Sequence, residues 1–393
     1  AIDEALQEGF SALQGSGDGR LPLLLFLTDG LPTIGETDIE TILKHANDRN
    51  SGKARVFSFG VGYDVNTHLL DRLVENHRGE RTYVKPEEDI EVKVSNLYEK
   101  IASPVLTDLS IECEGVRLYD LYPKAIPDLF RGSQLTLLGR FEGQGARRVV
   151  LRGKVNGKER SWSIEQDFSN ATGASFLPAL WAMRKVGYLL DEIRLHGENA
   201  ELKDEVTRLG KRYGIATPYT SFLVVEEGEL LARHPGAPAA AMPSIEERRD
   251  RLFSMNQSME DALSKGEATG AGAQARSGMT QRFKEGNVSY MITDSRKMAE
   301  SMGVNVEAER LPAGIGQLHI KRLEGKTFFL KDGVWTDSEY DEAAPQKARE
   351  IRFLSDEYFA LLKAEPEIAK FLSLGEKIIV TWKGTVYKIV QED

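Results

Sequence analysis

Leu23-Leu24-Leu25-Phe26-Leu27-Thr28-Asp29-Gly30 is the stretch that decides the fold. Its apolar run, from Leu21 to Leu27 with one proline, shows no polar alternation, the pattern of a parallel strand covered on both faces. Upstream, Ile2, Leu6 and Leu13 carry a helical stripe. Downstream, Ile39, Ile42, Leu43 and Ala46 mark a helix, and Arg55-Val56-Phe57-Ser58-Phe59 a second strand ending in Gly60-Val61-Gly62. A helix with Leu69, Leu70, Leu73 and Val74 and a short strand, Arg81-Thr82-Tyr83-Val84, follow. Ile90, Val94, Leu97 and Ile101, at helical spacing, stripe the last helix, which Pro104 ends. Repeated strand–helix units predict an α/β, doubly wound sheet over residues 1–103.

Beyond Pro104 the period falls to two, as in Leu109-Ser110-Ile111-Glu112-Cys113 and Val149-Val150-Leu151-Arg152-Gly153. Turn signals at Glu114-Gly115 and Asn156-Gly157 make this an antiparallel β-sandwich. Two amphipathic helices follow, through Leu177–Ile193 and Leu202–Tyr213, with Gly197 at their turn and Gly214 as a C-cap. A strand over Ser221–Val225 closes residues 104–226 as a β-sandwich plus helical hairpin. Residues 227–286 shift toward Ala, Gly, Pro, Ser and charge and read as a flexible linker, with a short helix around Ile245–Leu263. Residues 287–393 read as a small C-terminal α+β domain. Its marks are a hairpin at Lys331-Asp332-Gly333, an N-cap at Ser355, Pro366 in a first helical turn, and a closing hairpin at Lys383-Gly384.

The 393 residues, 41% hydrophobic and 28% charged, suffice for real cores, so wholesale disorder is not expected. A net charge of −10 argues against a nucleic-acid partner, which needs a basic surface. A single cysteine, Cys113, excludes an intrachain disulfide and reads as a buried small hydrophobe. The six histidines lack metal-type close spacing. No apolar run approaches the roughly 20 residues of a membrane helix, so no transmembrane segment is expected. Because the sequence starts at Ala1 without a methionine, in what reads as mid-helix, the chain is expected to be a C-terminal fragment, and the lack of a signal peptide in it means little.

One position carries chemistry. Asp29 falls at the carboxyl end of the first strand, where open α/β sheets bind ligands. A carboxylate there can help hold Mg²⁺ or Ca²⁺, or can simply make the turn with Gly30, and the residue alone leaves both open. Leu23–Gly30, with Phe57–Gly62 after the next helix, resembles the second half of a von Willebrand factor A domain. Further stretches resemble one subfamily, the bacterial VIT and von Willebrand factor A proteins similar to inter-alpha-trypsin inhibitor heavy chains. These are Tyr122-Pro123, Pro127-Asp128-Leu129-Phe130-Arg131-Gly132, Leu180-Trp181-Ala182, and Tyr213 to Ser221. The likeness spans about residues 1–226, with a looser one around Asp332–Trp335 and Asp356–Phe359.

The resemblance implies a partial von Willebrand A-type sheet and a metal-ion-dependent adhesion site built from three loops. Only the aspartate matching Asp29 is in this chain. No Asp-x-Ser-x-Ser occurs, and the family's threonine would fall just before Ala1. The expectation is therefore a non-catalytic protein-binding or adhesion module, metal-dependent in the full-length protein and with an incomplete site here. The implied partner is a protein ligand offering an acidic side chain, and the implied location is secreted, periplasmic or cell-envelope. Two alternatives stand beside it. One is a metal-independent structural envelope or assembly protein, the other a hydrolase using Asp120, Asp128 or Asp167 as acid and base. Pro127–Gly132 reads as a turn presenting Phe130 to the sandwich core, and Thr217–Ser221 as the start of a strand, with no histidine base nearby.

Overall fold

Strand β1 (Leu23–Thr28) pairs in parallel with β2 (Arg55–Val61), Leu25 opposite Phe57, and β2 pairs in parallel with β3 (Arg81–Val84). The structure is a computed structural model that describes residues 1–14, 21–50, 54–101, 104–130, 134–169, 176–220, 254, 257–263, 266–285, 320–331, 333–340 and 348–391. The chain divides into two compact units, residues 1–172 with 267–278, and residues 173–266 with 279–393.

In the first unit the parallel sheet has helices on both faces. Leu24 and Phe26 pack with Leu6 and Phe10 of α1 (Ile2–Ala12) and with Ile42, Leu43 and Ala46 of α2 (Ile39–Asn50). Leu69, Leu70 and Leu73 of α3 (Thr67–Asn76) complete that layer. On the other face Leu23, Phe57, Phe59 and Val84 meet Leu97 and Ile101 of α4 (Ile90–Ile101). The sequence period thus places the helical stripes correctly, because each stripe is the only apolar surface its helix can bury.

Two antiparallel sheets follow. One has the order β6-β4-β8-β9, with β4 Pro104–Cys113, β6 Leu129–Phe130, β8 Ala146–Val155 and β9 Lys158–Asp167. The other pairs β5 (Arg117–Tyr122) with β7 (Leu138–Glu142). Asn156 and Gly157, both at positive φ, make the β8–β9 turn, as the Asn-Gly pair predicts.

Three expectations change here. Phe130 enters the α/β core instead of a sandwich core, edge-on to Phe57 at 6.4 Å between ring centroids. Cys113 is half-buried, not buried. β1 is paired along one edge only among the described residues, and Leu25 and Leu27 are 37% and 48% exposed. The α4 layer reaches Leu23 but not these two side chains, so the apolar run is a poorer guide to burial than to strand formation.

Asp128 explains the Pro127–Gly132 motif. Arg55, 2% exposed at the start of β2, donates from Nε to Asp128 Oδ2 at 2.5 Å and from Nη2 to Asp108 Oδ1 at 2.7 Å. The Asp108 amide in turn donates to Asp128 Oδ1 at 3.0 Å. Burial raises the Asp108 pKa, but hydrogen bonds from Lys154 and Arg55 outweigh it and hold the carboxyl below the ordinary value.

In the second unit, α5 (Leu177–His196) and α6 (Ala200–Tyr213) form the expected hairpin, with Gly197 at φ 92 and Gly214 left-handed at φ 62. The Gly/Ala-rich stretch near Gly270, assigned by composition to a linker, instead opens a helix, Gly270–Glu285. It forms because Ala273, Met279 and Phe283 find apolar surface to bury. From Met279 on it packs on α5, where a side chain at Gly187 would strike Phe283 Cβ at 2.5 Å. Thr280 and Lys284 then join Arg194 on the buried Asp191.

The C-terminal sheet has the order β10-β11-β12-β14-β15-β13. Its strands are β10 Ile320–Leu323, β11 Lys326–Lys331, β12 Val334–Asp337, β13 Arg349–Arg352, β14 Ile378–Trp382 and β15 Thr385–Val390. Phe328, Ile351 and Val380 pack with Tyr358 and Leu361 of helix Asp356–Ala364, which Ser355 caps by accepting from the Tyr358 amide. The anticipated strand Ser221–Val225 and residues 227–253 lie outside the described residues.

Two predictions follow from the first unit's interior. Asp128→Asn removes the buried one of the two carboxylates that neutralise the Arg55 guanidinium, leaving only the half-exposed Asp108, and should lower stability by up to about 3 kcal/mol in urea denaturation. His77, 4% exposed beside Phe10, has Nδ1 within 2.8 Å of Asn50 Nδ2, and burial depresses its pKa from 6.5 to about 4. The unfolded chain therefore binds more protons between those values. Stability should be full above pH 6.5 and fall toward pH 4 by up to roughly 1.4 kcal/mol per pH unit. His77→Gln should remove that part of the slope in a pH series of denaturation curves.

Candidate functional site

The carboxyl edge of the parallel sheet is set by two strand ends. β1 finishes at Thr28, whose Oγ1 donates to the Gly30 carbonyl at 3.2 Å and accepts from the Gly30 amide at 3.4 Å. This local turn leaves Asp29 exposed. Thr28 stands opposite Gly60 of β2, so Asp29 and the loop after β2 share the same edge. Gly60 is required there, because a Cβ would come within 2.9 Å of both Tyr83 Cδ1 and Val65 Cγ2. The loop then enters α3 through Asn66, whose side chain accepts from the Leu69 amide at 2.9 Å.

Residues 267–278 return to this edge from far along the sequence. The Gly270 amide donates to the Tyr63 carbonyl at 2.8 Å, and the Thr67 amide and hydroxyl donate to the Ala268 carbonyl at 2.7 and 2.9 Å. Beneath them lies Asp71, 1% exposed. Tyr83 Oη and Arg81 Nε contact its Oδ1, each at 2.6 Å, and Ser277 Oγ donates to its Oδ2 at 2.7 Å. Arg81 Nε also donates to Ser277 Oγ at 3.0 Å. Asp71 is thus a buried carboxylate engaged by its neighbours, as a structural anchor is.

Among the described residues, no three His, Cys, Asp or Glu side chains group into a set that could hold a metal ion. Asp29 brings one carboxylate to the edge. A hard divalent cation takes six or more oxygens, so the described side chains do not by themselves fit Mg²⁺ or Ca²⁺. Nor do the three carboxylates considered for hydrolysis meet. Asp128 is committed to Arg55, Asp167 accepts from the Ser169 amide at 2.9 Å in an exposed turn, and Asp120 lies on β5 at φ 48. The Thr217 and Thr220 hydroxyls are buried and bond each other at 3.0 Å, closing the turn after α6.

The sequence reading missed the Asp71–Arg81–Ser277 cluster. One signal was present, an acid among the apolar stripe of α3 between Leu70 and Leu73. Ser277 carries no comparable mark, being 196 residues from Arg81 and 206 from Asp71.

No protein-family model matches the sequence. Among curated proteins it is 25% identical over 224 residues to inter-alpha-trypsin inhibitor heavy chain H4 of Homo sapiens, covering 53% of this chain and 24% of that one. It is 28% identical over 261 residues to Homo sapiens heavy chain H6, covering 60% and 20%, and 24% identical over 266 residues to heavy chain H3, covering 62% and 30%. Its homologues are inter-alpha-trypsin inhibitor heavy chains. The matched part spans between 20% and 30% of the length of these heavy chains. Among solved structures, a von Willebrand factor type A protein from Catenulispora acidiphila aligns at a TM-score of 0.35 and 14% identity, over 58% of this chain and 64% of that one.

The Asp71 cluster makes a direct prediction. Ser277→Ala removes a donor from a buried carboxylate and should cost about 1–3 kcal/mol. It should also speed hydrogen exchange at the Thr67 amide, which donates to Ala268, while the amides of β14 and β15 in the other unit keep their rates.

Proposed function

We propose that this chain is part of a non-catalytic protein-binding module of the heavy-chain type, built on a von Willebrand A-like sheet. The observation that supports this best is the exposed Asp29 at the carboxyl edge of an apolar parallel strand. A carboxylate adds nothing to the packing there and is placed where such sheets take ligands. In the longer protein we assign Asp29 as one ligand to Mg²⁺ or Ca²⁺, with an acidic side chain of the protein ligand completing the cation's oxygen shell. The cation would supply a positive centre that an acidic partner can reach. This chain's share is to hold one oxygen ligand on a rigid strand end.

The same reading treats residues 1–103 as the second half of the A-type domain, 104–226 as its attached β-sandwich plus helical hairpin and 287–393 as a tail domain, while the tether read over 227–286 excludes the packed helix Gly270–Glu285. It places the protein in a secreted, periplasmic or cell-envelope setting. Among the described residues no helix is long and apolar enough to cross a membrane. A second reading, a metal-independent envelope or assembly role, draws support from Asp29 having no companion ligands among the described residues.

Calorimetric titration with MgCl₂ and CaCl₂ tests the proposal. The 393-residue chain should give no saturable heat, and the longer polypeptide should bind and lose binding on Asp29→Ala. Tight binding by the 393-residue chain would overturn the assignment of an incomplete site. A longer polypeptide indifferent to both cations would favour the metal-independent role.

A further inference from the structure

The helix Gly270–Glu285 is held in two different ways along its length. Beyond Gly278 its buried apolar side chains are Met279 and Phe283, and Thr280 and Lys284 add bonds to the buried Asp191. Before Gly278 the buried side chains are Ala273 and three polar ones, Gln274, Arg276 and Ser277. Gln274 Nε2 donates to the Gly62 carbonyl and Ser277 Oγ to Asp71, while Arg276 Nη2 donates back to the Glu267 carbonyl at 3.3 Å. The Gly270 amide and the Ala268 carbonyl complete the attachment through Tyr63 and Thr67. Apolar burial is lost outright when two surfaces part, whereas hydrogen bonds are largely replaced by water. Segments with few buried apolar contacts are therefore the first to open.

Glycines stand at both ends of the polar half. Gly266 and Gly270, at φ 59 and 89, take backbone conformations that favour glycine. Gly278 differs, because it lies inside the helix and a Cβ there would meet nothing within 4 Å. Packing does not require a glycine at this position. It weakens the helix at the point where polar attachment gives way to apolar burial.

We propose that residues 267–277 form a strap that undocks as a unit from the loop after β2 and the start of α3. The chain bends at Gly278, and the helix beyond it stays packed on α5. Docked, the strap occupies the Gly62 and Tyr63 carbonyls and covers Asp71. Undocked, it leaves those carbonyls and the Asp71 carboxylate to water. The edge that carries Asp29 thereby has a closed and an open form. The inference stands whether or not Asp29 holds a cation.

Native-state hydrogen exchange on the 393-residue chain, in urea too dilute to unfold it, tests the strap. The Thr67 and Gly270 amides, which bond across the attachment, should exchange through one common opening. Their exchange should be about tenfold or more faster than that of the β2 amides. Released from its surface, so short and glycine-containing a stretch does not stay helical. The amides of Gln274–Ser277 should therefore exchange before those of Arg282–Glu285 in the same helix. Gly278→Ala introduces no clash and should slow the Thr67 and Gly270 amides about threefold, because bending then breaks a stronger helix. Thr67 and Gly270 amides that exchange only together with β2 overturn the proposal, since the segment is then a fixed part of the unit. So does a helix whose amides all exchange at one rate, or a Gly278→Ala chain in which the strap amides keep their rates.

Discussion

A guanidinium at the first residue of β2 is almost wholly buried, and two carboxylates of the following region neutralise it. Arg55 begins the central strand of the parallel sheet, yet its counter-charges, Asp128 and Asp108, come from the antiparallel region that follows. Taking a lone charge from water costs several kcal/mol, so the start of β2 and the Pro127–Phe130 segment stabilise each other. Phe130, two residues after Asp128, enters the same core through Phe57. One short motif therefore provides both the charge and the aromatic ring that lock the antiparallel sheet to the parallel one. This accounts for the run of Asp, Leu and Phe in that motif without a catalytic role.

The Asp71 cluster applies the same logic at the other end of the sheet. Its buried carboxylate is held by Arg81, Tyr83 and Ser277, from β3 and from the returning segment 267–278. That segment also bonds the loop after β2 through Tyr63 and Thr67. The loop on which the carboxyl edge depends is thereby braced by residues distant in sequence. Asp29 sits at the same edge but outside the network, held only by its local Thr28–Gly30 turn. Asp29 is exposed to solvent, whereas Asp71 and Asp128 are buried and engaged by their partners.

β1 shows a conflict between levels. Its composition suits a strand in the middle of a sheet, yet among the described residues it stands at an edge with Leu25 and Leu27 open to solvent. Local propensity and pattern agree on a strand, and the packing leaves part of it unsatisfied.

Much of the architecture was legible in the sequence because it depends on neighbours along the chain. The stripes Ile90–Ile101 and Leu69–Val74, the Asn156-Gly157 turn, the Ser355 cap and the left-handed Gly214 all follow from spacing or local backbone preference. The position of Asp29 after β1 follows in the same way. Burial of β1, the destination of Phe130 and the fate of the Gly/Ala-rich stretch near Gly270 did not. Gly270–Glu285 is a weak helix by composition, and becomes one only where Ala273 and Phe283 meet surfaces built from other parts of the chain. Whether Leu25 is covered depends on which strand lies beside β1, and whether Asp71 is a site or an anchor depends on Ser277. Short-range steric and hydrogen-bonding preferences are written residue by residue, while long-range pairing and charge neutralisation exist only once the chain has closed on itself.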